Sequence, residues 1–273
     1  MAIITISREL AALGDEIAKE LARQLDYRFI DRFKLEERIK SYGVTKEKLE
    51  KYDERKPSFW ASLSQDRDDY LHYLKSAILN ETKDGGCIVI GRGAFAILNK
   101  LPGVLPIYLV SSTDVRIARV KSYFHCDEKR AMHIISQSDQ DRIGFHKYFF
   151  EADWKDPSNY QLTINTSRLH PSVCAEIIKN LLSNTINSET EDLFKSSMND
   201  LILAQNVIHH VLYEKEIAVH FLEASVSLGE ACLFGVASSA SIVDAAVNAA
   251  KEVPSIKSVK SEIQVVHEYS VMP

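Results

Sequence analysis

Residues 3–22 read IITISRELAALGDEIAKELA, and this stretch decides the fold. The β-branched run from Ile3 to Ser7 predicts a buried strand. From Asp15 to Leu25, apolar residues recur at the spacing of one helix face, which predicts a helix. The turn between them, Glu9 to Glu16, therefore lies at a helix N-terminus, where backbone N–H groups can bind a phosphate.

The chain up to residue 185 continues this pattern of short apolar strands separated by helices. Further strands are predicted at 27–30, 87–90, 105–110 and 161–165, and further helices at 34–39, 45–52, 66–79, 113–122 and 171–182. Strands that are apolar on both faces and alternate with helices are typical of a parallel sheet covered on both sides. We therefore expect an α/β domain with a doubly wound parallel sheet over residues 1–185.

The remaining residues predict a second, smaller unit. A stretch rich in Ser, Asn, Thr and Glu interrupts the pattern, and residues 186–198 are predicted to be a linker. Residues 199–273 predict a small α+β domain in the order α-β-β-α-β. Its elements are predicted at 199–211, 218–224, 230–236, 241–252 and 258–266.

The composition is that of an ordinary globular protein, with 45% hydrophobic and 26% charged residues. A formal net charge of -5 gives no general attraction for nucleic acid, so local cations must bind any phosphate. The N-terminus does not resemble a signal peptide, no transmembrane segment is predicted, and the four cysteines form no CxxC pair. We expect a cytoplasmic protein without a metal site built from its own residues and without a nucleic-acid partner.

The turn from Glu9 to Glu16 departs from the sequence of a working phosphate-binding loop. Such a loop uses glycines to aim backbone N–H groups at the phosphate, a Lys to neutralise it, and Ser or Thr to hold magnesium. Here Gly14 is the only glycine of the turn, and Asp15 and Glu16 stand where Lys and Ser or Thr are required. A like charge about 4 Å from a phosphate costs about 4 kcal/mol at an effective dielectric near 20. We therefore expect weakened triphosphate binding.

Seven segments, in order, resemble the cytidylate kinase-like branch of the P-loop nucleoside monophosphate kinases. They are ISRELAALGDEIAKELA (6–22), YRFIDR (27–32), DERKPSF (53–59), IVIGRGAFAIL (88–98), LPIYLVSSTDVRIARV (105–120), DQDR (139–142) and DWKDPSNYQLTINTS (153–167). The resemblance covers residues 1 to about 185. It implies a P-loop kinase fold and, if the site is active, transfer of a phosphoryl group from ATP, with Mg²⁺, to CMP or dCMP.

The resemblance also assigns residues to the site. It places Ser7, Arg8, Gly14, Asp15 and Glu16 at the nucleotide cofactor, Asp31, Asp53 and Arg92 on the acceptor side, and Arg116, Arg119 and Arg142 in or near the catalytic lid. Arginine suits this task because its guanidinium binds phosphate oxygens through paired hydrogen bonds. Where the family has glycines, this chain has Ala11, Ala12 and Leu13, whose β-carbons restrict positive φ angles and predict a stiffer, tighter loop.

Structural roles for the same residues are open alternatives. They are a surface position for Arg92, a solvated helix face of Arg116 and Arg119 paired with Asp114, and an ion pair of Arg142 with Asp139 or Asp141. The aromatic residues between 123 and 154 could stack a base, although aromatic residues more often belong to a core.

Residues 231–266, ACLFGVASSASIVDAAVNAAKEVPSIKSVKSEIQVV, resemble a BON domain. That resemblance implies a binding role without catalytic residues, with a protein or lipid partner or a second copy of the chain. Three functions follow from the whole sequence. The chain is an ATP-dependent nucleoside monophosphate kinase, or a non-catalytic descendant that binds nucleotide or serves as a scaffold, or a binding protein that acts through its C-terminal domain.

Overall fold

The structure, a computed structural model, describes residues 2–51 and 64–266. Asp53 and the whole DERKPSF segment (53–59) lie outside these residues. The chain divides into two compact units, Met1–Asp192 and Leu193–Pro273. Within the described ranges, no helix has both the length and the apolar character needed to cross a membrane.

A five-stranded parallel sheet forms the centre of the first unit and confirms the predicted doubly wound fold. Its strands lie side by side in the order β2-β3-β1-β4-β5. Ile6 of the central strand is level with Ile90 on one side and Ile107 on the other. The strands are β1 (Ile3–Arg8), β2 (Arg28–Ile30), β3 (Cys87–Ile90), β4 (Val104–Val110) and β5 (Leu162–Asn165).

Helices cover both faces of this sheet. Ile17, Leu21 and Ile178 pack against one face, and on the other face Tyr108 of the sheet lies in a buried cluster with Trp154. The central strands β1, β3 and β4 are therefore buried on both faces, as expected for a covered parallel sheet. The helices are α1 (Gly14–Leu25), α2 (Arg32–Ser41), α3 (Lys46–Lys51), α4 (Ser64–Thr82), α5 (Ala94–Ile97), α6 (Thr113–Phe124), α7 (Glu128–Phe150) and α8 (Pro171–Thr185).

The long helix α7 was not among the predicted elements. Its sequence alternates many polar residues with few apolar ones, so the helical period is weak. Asp127 caps its N-terminus by accepting a hydrogen bond from the Arg130 N–H at 2.7 Å. The buried residues recur four apart on one face, as Ala131 with Ile135 and Phe145 with Phe149.

The second unit has the predicted α-β-β-α-β order. Its elements are α9 (Ser188–His209), β6 (His220–Ser227), β7 (Glu230–Ala237), α10 (Ala240–Glu252) and β8 (Ser258–Val265). β7 pairs antiparallel with β6 and parallel with β8. Val207, Leu222, Leu233, Ala250 and Ile263 belong to the buried core between this sheet and the helices.

The stretch predicted to be a linker is largely helical, because α9 begins at Ser188 instead of Asn199. Asn187 accepts a hydrogen bond from the Thr190 N–H at 2.9 Å and so caps the helix start. Phe194 and Met198, four residues apart, are buried. The polar composition that suggested a linker thus belongs to the exposed face of a helix.

The turn after β3 brings a predicted site residue into position. Gly91, Arg92 and Gly93 have φ angles of 73°, 53° and 70°. A β-carbon on Gly93 would lie 2.1 Å from the Phe150 ring carbon Cε2. Only glycine fits there, because the backbone is left-handed and packs directly on an aromatic ring.

We predict that Gly93→Ala lowers the free energy of unfolding by about 2–5 kcal/mol, the sum of the φ penalty and the cost of overpacking. Gly43→Ala is the matched control, because Gly43 has φ 86° but a β-carbon there would contact nothing within 4 Å. That control should lose only about 1 kcal/mol. Urea unfolding measures both, and equal losses would show that the contact with Phe150 has no energetic role.

Candidate functional site

The turn between β1 and α1 has a left-handed backbone at two of the positions where the resemblance implies glycine. Ala11 has φ 62° and Leu13 has φ 59°. The β-carbons therefore do not prevent this conformation, contrary to the restriction expected from the sequence. Each non-glycine residue in it costs about 1–2 kcal/mol, so surrounding contacts must hold the turn in place.

Part of that support is apolar. Leu10 and Ala11 pack against a buried cluster formed by the helices α6 and α7, whose centre is Val120, Ala131 and Ile135. In a glycine-rich loop these positions would carry no side chain to bury. The loop of this protein is thus attached to the α6–α7 pair by its own side chains.

Arg116 supplies the second support through its whole guanidinium group. Its Nε donates a hydrogen bond to the Leu10 carbonyl oxygen at 2.8 Å. Its Nη2 binds both carboxylate oxygens of Asp139, at 2.8 and 2.9 Å. Its Nη1 lies 3.3 Å from Glu9 Oε1, and Arg116 itself is only 5% exposed. All three nitrogens are therefore engaged by groups of the protein.

Arg119 holds the next carbonyl of the turn. Its Nη1 donates to the Ala11 carbonyl oxygen at 2.8 Å, and its Nη2 donates to the Thr166 carbonyl oxygen at 2.8 Å. Burial lowers the pKa of this guanidinium, and the nearby Glu16 carboxylate partly offsets that effect. Arg119 thus joins the turn to the segment that follows β5.

The helix start next to the turn carries acids where a phosphate loop carries Lys and Ser or Thr. Asp15 and Glu16 are exposed in the first turn of α1, where carboxylates interact favourably with the helix dipole. Gly14 is covered by Arg8, because a β-carbon on Gly14 would lie 2.6 Å from Arg8 Cγ. Ser7 is buried and forms a hydrogen bond with Tyr160, whose phenol has its pKa raised by burial.

The predicted acceptor-side residues lie on a second group of elements. Arg92 Nη2 is 3.0 Å from Glu36 Oε1, and Arg92 Nη1 is 3.4 Å from the Tyr70 hydroxyl. Glu36 also accepts a hydrogen bond from Arg32 Nε at 2.5 Å. Asp31 caps α2 by accepting from the Lys34 N–H at 3.0 Å. The structure thus brings Arg92 and α2 together, with Asp31 at the start of that helix.

The third predicted catalytic arginine has a different setting. Arg142 donates to the carbonyl and the hydroxyl of Ser138, one turn earlier on α7. Asp139, which was a candidate partner of Arg142, pairs with Arg116 instead. Its contacts with Ser138 lie within α7.

The aromatic residues near these arginines divide into two groups. Phe145, Phe149 and Trp154 are at most 2% exposed, which confirms the core interpretation for that part. Tyr123 is 79% exposed and Phe124 50% exposed. The core interpretation is therefore wrong for these two aromatic residues at the C-terminus of α6.

The carboxylates that pair with the site arginines could not be identified as such from the sequence. Glu9 lies in the segment ISRELAALGDEIAKELA and Asp139 in the segment DQDR, but nothing in their spacing shows that both carboxylates bind Arg116. Glu36, the partner of Arg92, has no sequence signal. The two buried arginines, Arg92 and Arg116, thus already form ion pairs with carboxylates of the protein without a bound phosphate.

A central parallel sheet in the order 2-3-1-4-5, with a left-handed turn that leads from the first strand into the first helix, defines a P-loop-kinase-like domain. The chain belongs to the cytidylate kinase-like family, whose model matches residues 3–168. The BON domain model matches residues 199–267, which correspond to the second unit. No curated protein matches the sequence.

Solved structures similar to the chain include a crystal structure of an uncharacterized protein from Eubacterium ventriosum. It is 19% identical, with a TM-score of 0.52, and the match covers 67% of this chain and 99% of that one. This similarity supports the fold alone. A shikimate kinase from Bacteroides thetaiotaomicron is 19% identical with a TM-score of 0.42, over 67% of this chain and 98% of that one. A deoxyadenosine kinase from M. mycoides is 15% identical with a TM-score of 0.37, over 67% and 99%.

We predict that Ala11→Gly raises the free energy of unfolding by about 1 kcal/mol, because it relieves a left-handed alanine. Ala12→Gly is the matched control, since Ala12 is fully buried and is not among the residues with positive φ. That variant should lose about 1 kcal/mol. Urea unfolding gives both values, and the account of the strained turn is wrong if the two variants shift stability in the same direction.

A second prediction concerns the guanidinium of Arg116. Arg116→Met should lower the free energy of unfolding by about 3–5 kcal/mol, because Asp139 is left as a buried, unpaired carboxylate. Arg130→Met removes the same charge from an exposed position of α7 and should change stability by less than about 0.5 kcal/mol. Urea unfolding at neutral pH distinguishes them, and a loss below 1 kcal/mol for Arg116→Met, roughly the worth of a surface ion pair, would contradict the buried-pair assignment.

Proposed function

We propose that the kinase-like domain does not transfer phosphoryl groups and that the chain works as a scaffold or binding protein, with the BON domain as its binding module. One observation carries this proposal. The guanidinium groups of Arg116 and Arg119 donate to the carbonyl oxygens of Leu10 and Ala11. The arginines that the family resemblance assigns to phosphate thus hold the loop itself.

Moving Arg116 onto a transferred phosphate would require it to leave Asp139. Breaking a buried ion pair by removing one partner costs about 3–5 kcal/mol, and the Leu10 carbonyl would lose its donor as well. Such a cost corresponds to a factor of about one hundred to several thousand in binding or rate, because about 1.4 kcal/mol is tenfold. Phosphoryl transfer depends on cations that are already positioned around the phosphate. Arg116 is instead positioned on Asp139 and the Leu10 carbonyl oxygen.

The helix start adds a second obstacle to ATP. Asp15 and Glu16 place two carboxylates at the N-terminus where the phosphates of a nucleotide would approach. They repel the phosphates and supply neither the lysine charge nor the hydroxyl that holds magnesium. ATP and Mg²⁺ would therefore bind weakly, and no residue is assigned to the metal.

On the acceptor side, the predicted phosphate-binding arginine is also already paired with a carboxylate. Arg92 is 4% exposed and pairs with Glu36. An incoming CMP or dCMP phosphate would have to compete with that carboxylate for the guanidinium. We therefore propose weak monophosphate binding at this position, without turnover.

The second candidate is an active kinase that phosphorylates CMP or dCMP. It is favoured by the left-handed backbone of Ala11 and Leu13, which preserves glycine-like geometry without glycine. In that case, the N–H groups of the turn bind the ATP phosphates, Arg92 turns from Glu36 to the acceptor, and Arg116, Arg119 and Arg142 act on the transferred group.

Two measurements on the purified full chain decide between the candidates. Coupled assays with ATP, magnesium and each nucleoside monophosphate should show no transfer above the protein-free rate. Calorimetry should show MgATP binding at least about tenfold tighter for Ala11→Gly/Leu13→Gly/Asp15→Lys than for the wild type, a gain of about 1.4 kcal/mol. Turnover by the wild type would refute the proposal and establish the kinase.

The control variant Ala11→Gly/Leu13→Gly/Asp26→Lys carries the same loop changes and the same net charge. Asp26 follows the C-terminus of α1, at the opposite end of the helix from the turn. The control should bind MgATP more weakly than the variant with Lys at position 15. Equal affinities would show that Asp15 does not weaken ATP binding.

A further inference from the structure

The strand β8 leaves one edge of the BON sheet open. The sheet order is β6-β7-β8, so within the described residues β8 pairs with β7 on one side only. Val266 N donates to Ala237 O, and the parallel register pairs Ala237 with Val265. Even-numbered residues of β8 therefore direct their backbone groups to β7, and Val259, Ser261 and Ile263 direct theirs outward. An edge of this kind is a template for another strand.

The sequence of this edge is self-complementary about Ser261. Lys260 and Glu262 flank it with opposite charges, and both are exposed. Val259 and Ile263 flank them with two β-branched apolar side chains. Ile263 belongs to the core face of the sheet. Lys260 and Glu262, at even-numbered positions, therefore lie on the outer face, where they are level with Cys232 and Phe234 of β7.

We propose that β8 pairs antiparallel with β8 of a second copy of the chain, about a two-fold axis at Ser261. In this register each Lys260 lies opposite Glu262 of the other copy, so that two equivalent ion pairs form across the junction. Val259 lies opposite Ile263 on the core face. Opposite charges and β-branched pairs directly across a strand pair both stabilise it.

The backbone pattern permits the same register. In an antiparallel pair, residues with outward backbone groups must face each other to exchange both N–H···O bonds. Pairing about Ser261 places Ser261 opposite Ser261 and Val259 opposite Ile263, all of which direct their groups outward. The Ile263 N–H, which bonds Ser261 Oγ at 3.3 Å in the single chain, would instead donate to the partner strand.

The neighbouring registers are disfavoured by charge. Shifting the axis to Lys260 places Lys260 opposite itself, and shifting it to Glu262 places Glu262 opposite itself. Like charges directly opposite each other destabilise a strand pair. Because a two-fold contact is closed, the product is a dimer with one continuous six-stranded sheet. The inference does not depend on whether the kinase-like domain is active.

Charge reversal on the full chain tests the register. Sedimentation velocity over a range of concentrations should show a wild-type dimer. Lys260→Glu and Glu262→Lys should each weaken dimerisation by about tenfold or more, because each replaces both ion pairs with repulsion. The double variant Lys260→Glu/Glu262→Lys restores two ion pairs and should recover the wild-type dimer. A monomeric wild type, or a double variant no better than the singles, would overturn the proposal.

Disulfide trapping provides an independent readout. Residues that exchange both hydrogen bonds have Cα atoms about 5.5 Å apart, within disulfide range. Ser261→Cys, in a chain with Cys126→Ser and Cys232→Ser, should therefore form a covalent dimer under mild oxidation. Ser258→Cys is the control, because its two copies would lie about 20 Å apart along the strands. Equal crosslinking of both variants, or species larger than a dimer, would contradict the two-fold pairing.

Discussion

The ion pair between Arg116 and Asp139 is the interaction on which the candidate site depends. One guanidinium binds the Asp139 carboxylate through Nη2 and the Leu10 carbonyl through Nε. It thereby joins α6, α7 and the turn after β1 in a buried setting, where an unpaired charge is costly. Because the arginine is fixed at both ends, the turn has a defined shape without any ligand.

The shape of the turn carries a local cost that its neighbours offset. Ala11 and Leu13 are held in left-handed conformations, each unfavourable for a residue with a β-carbon. The apolar contacts of Leu10 and Ala11 with the α6–α7 cluster and the hydrogen bonds from Arg116 and Arg119 act in the opposite direction. A loop with glycine would need none of this support. Side-chain contacts therefore stabilise a turn shape that glycine could adopt without them.

Much of the fold could be predicted from the sequence, because strands such as Cys87–Ile90 are apolar on both faces and lie between helices. The helix α7 was missed since its buried residues are sparse. The site was predicted only in outline. Arg116 contacts the carbonyl of a residue 106 positions away, and a bond to a carbonyl leaves no trace in the identity of the residue that accepts it. Motifs located the arginines, but only the structure shows what they bind.

In this structure Arg116 binds both the loop and Asp139. NMR of the protein labelled with ¹⁵N-arginine measures this directly through the Nε–H group of Arg116. We expect a slowly exchanging Arg116 signal that stays unshifted as MgATP and CMP are added. A rapidly exchanging signal, or a shift that saturates with nucleotide, would show instead that the guanidinium is available to phosphate and is not held by the loop and Asp139.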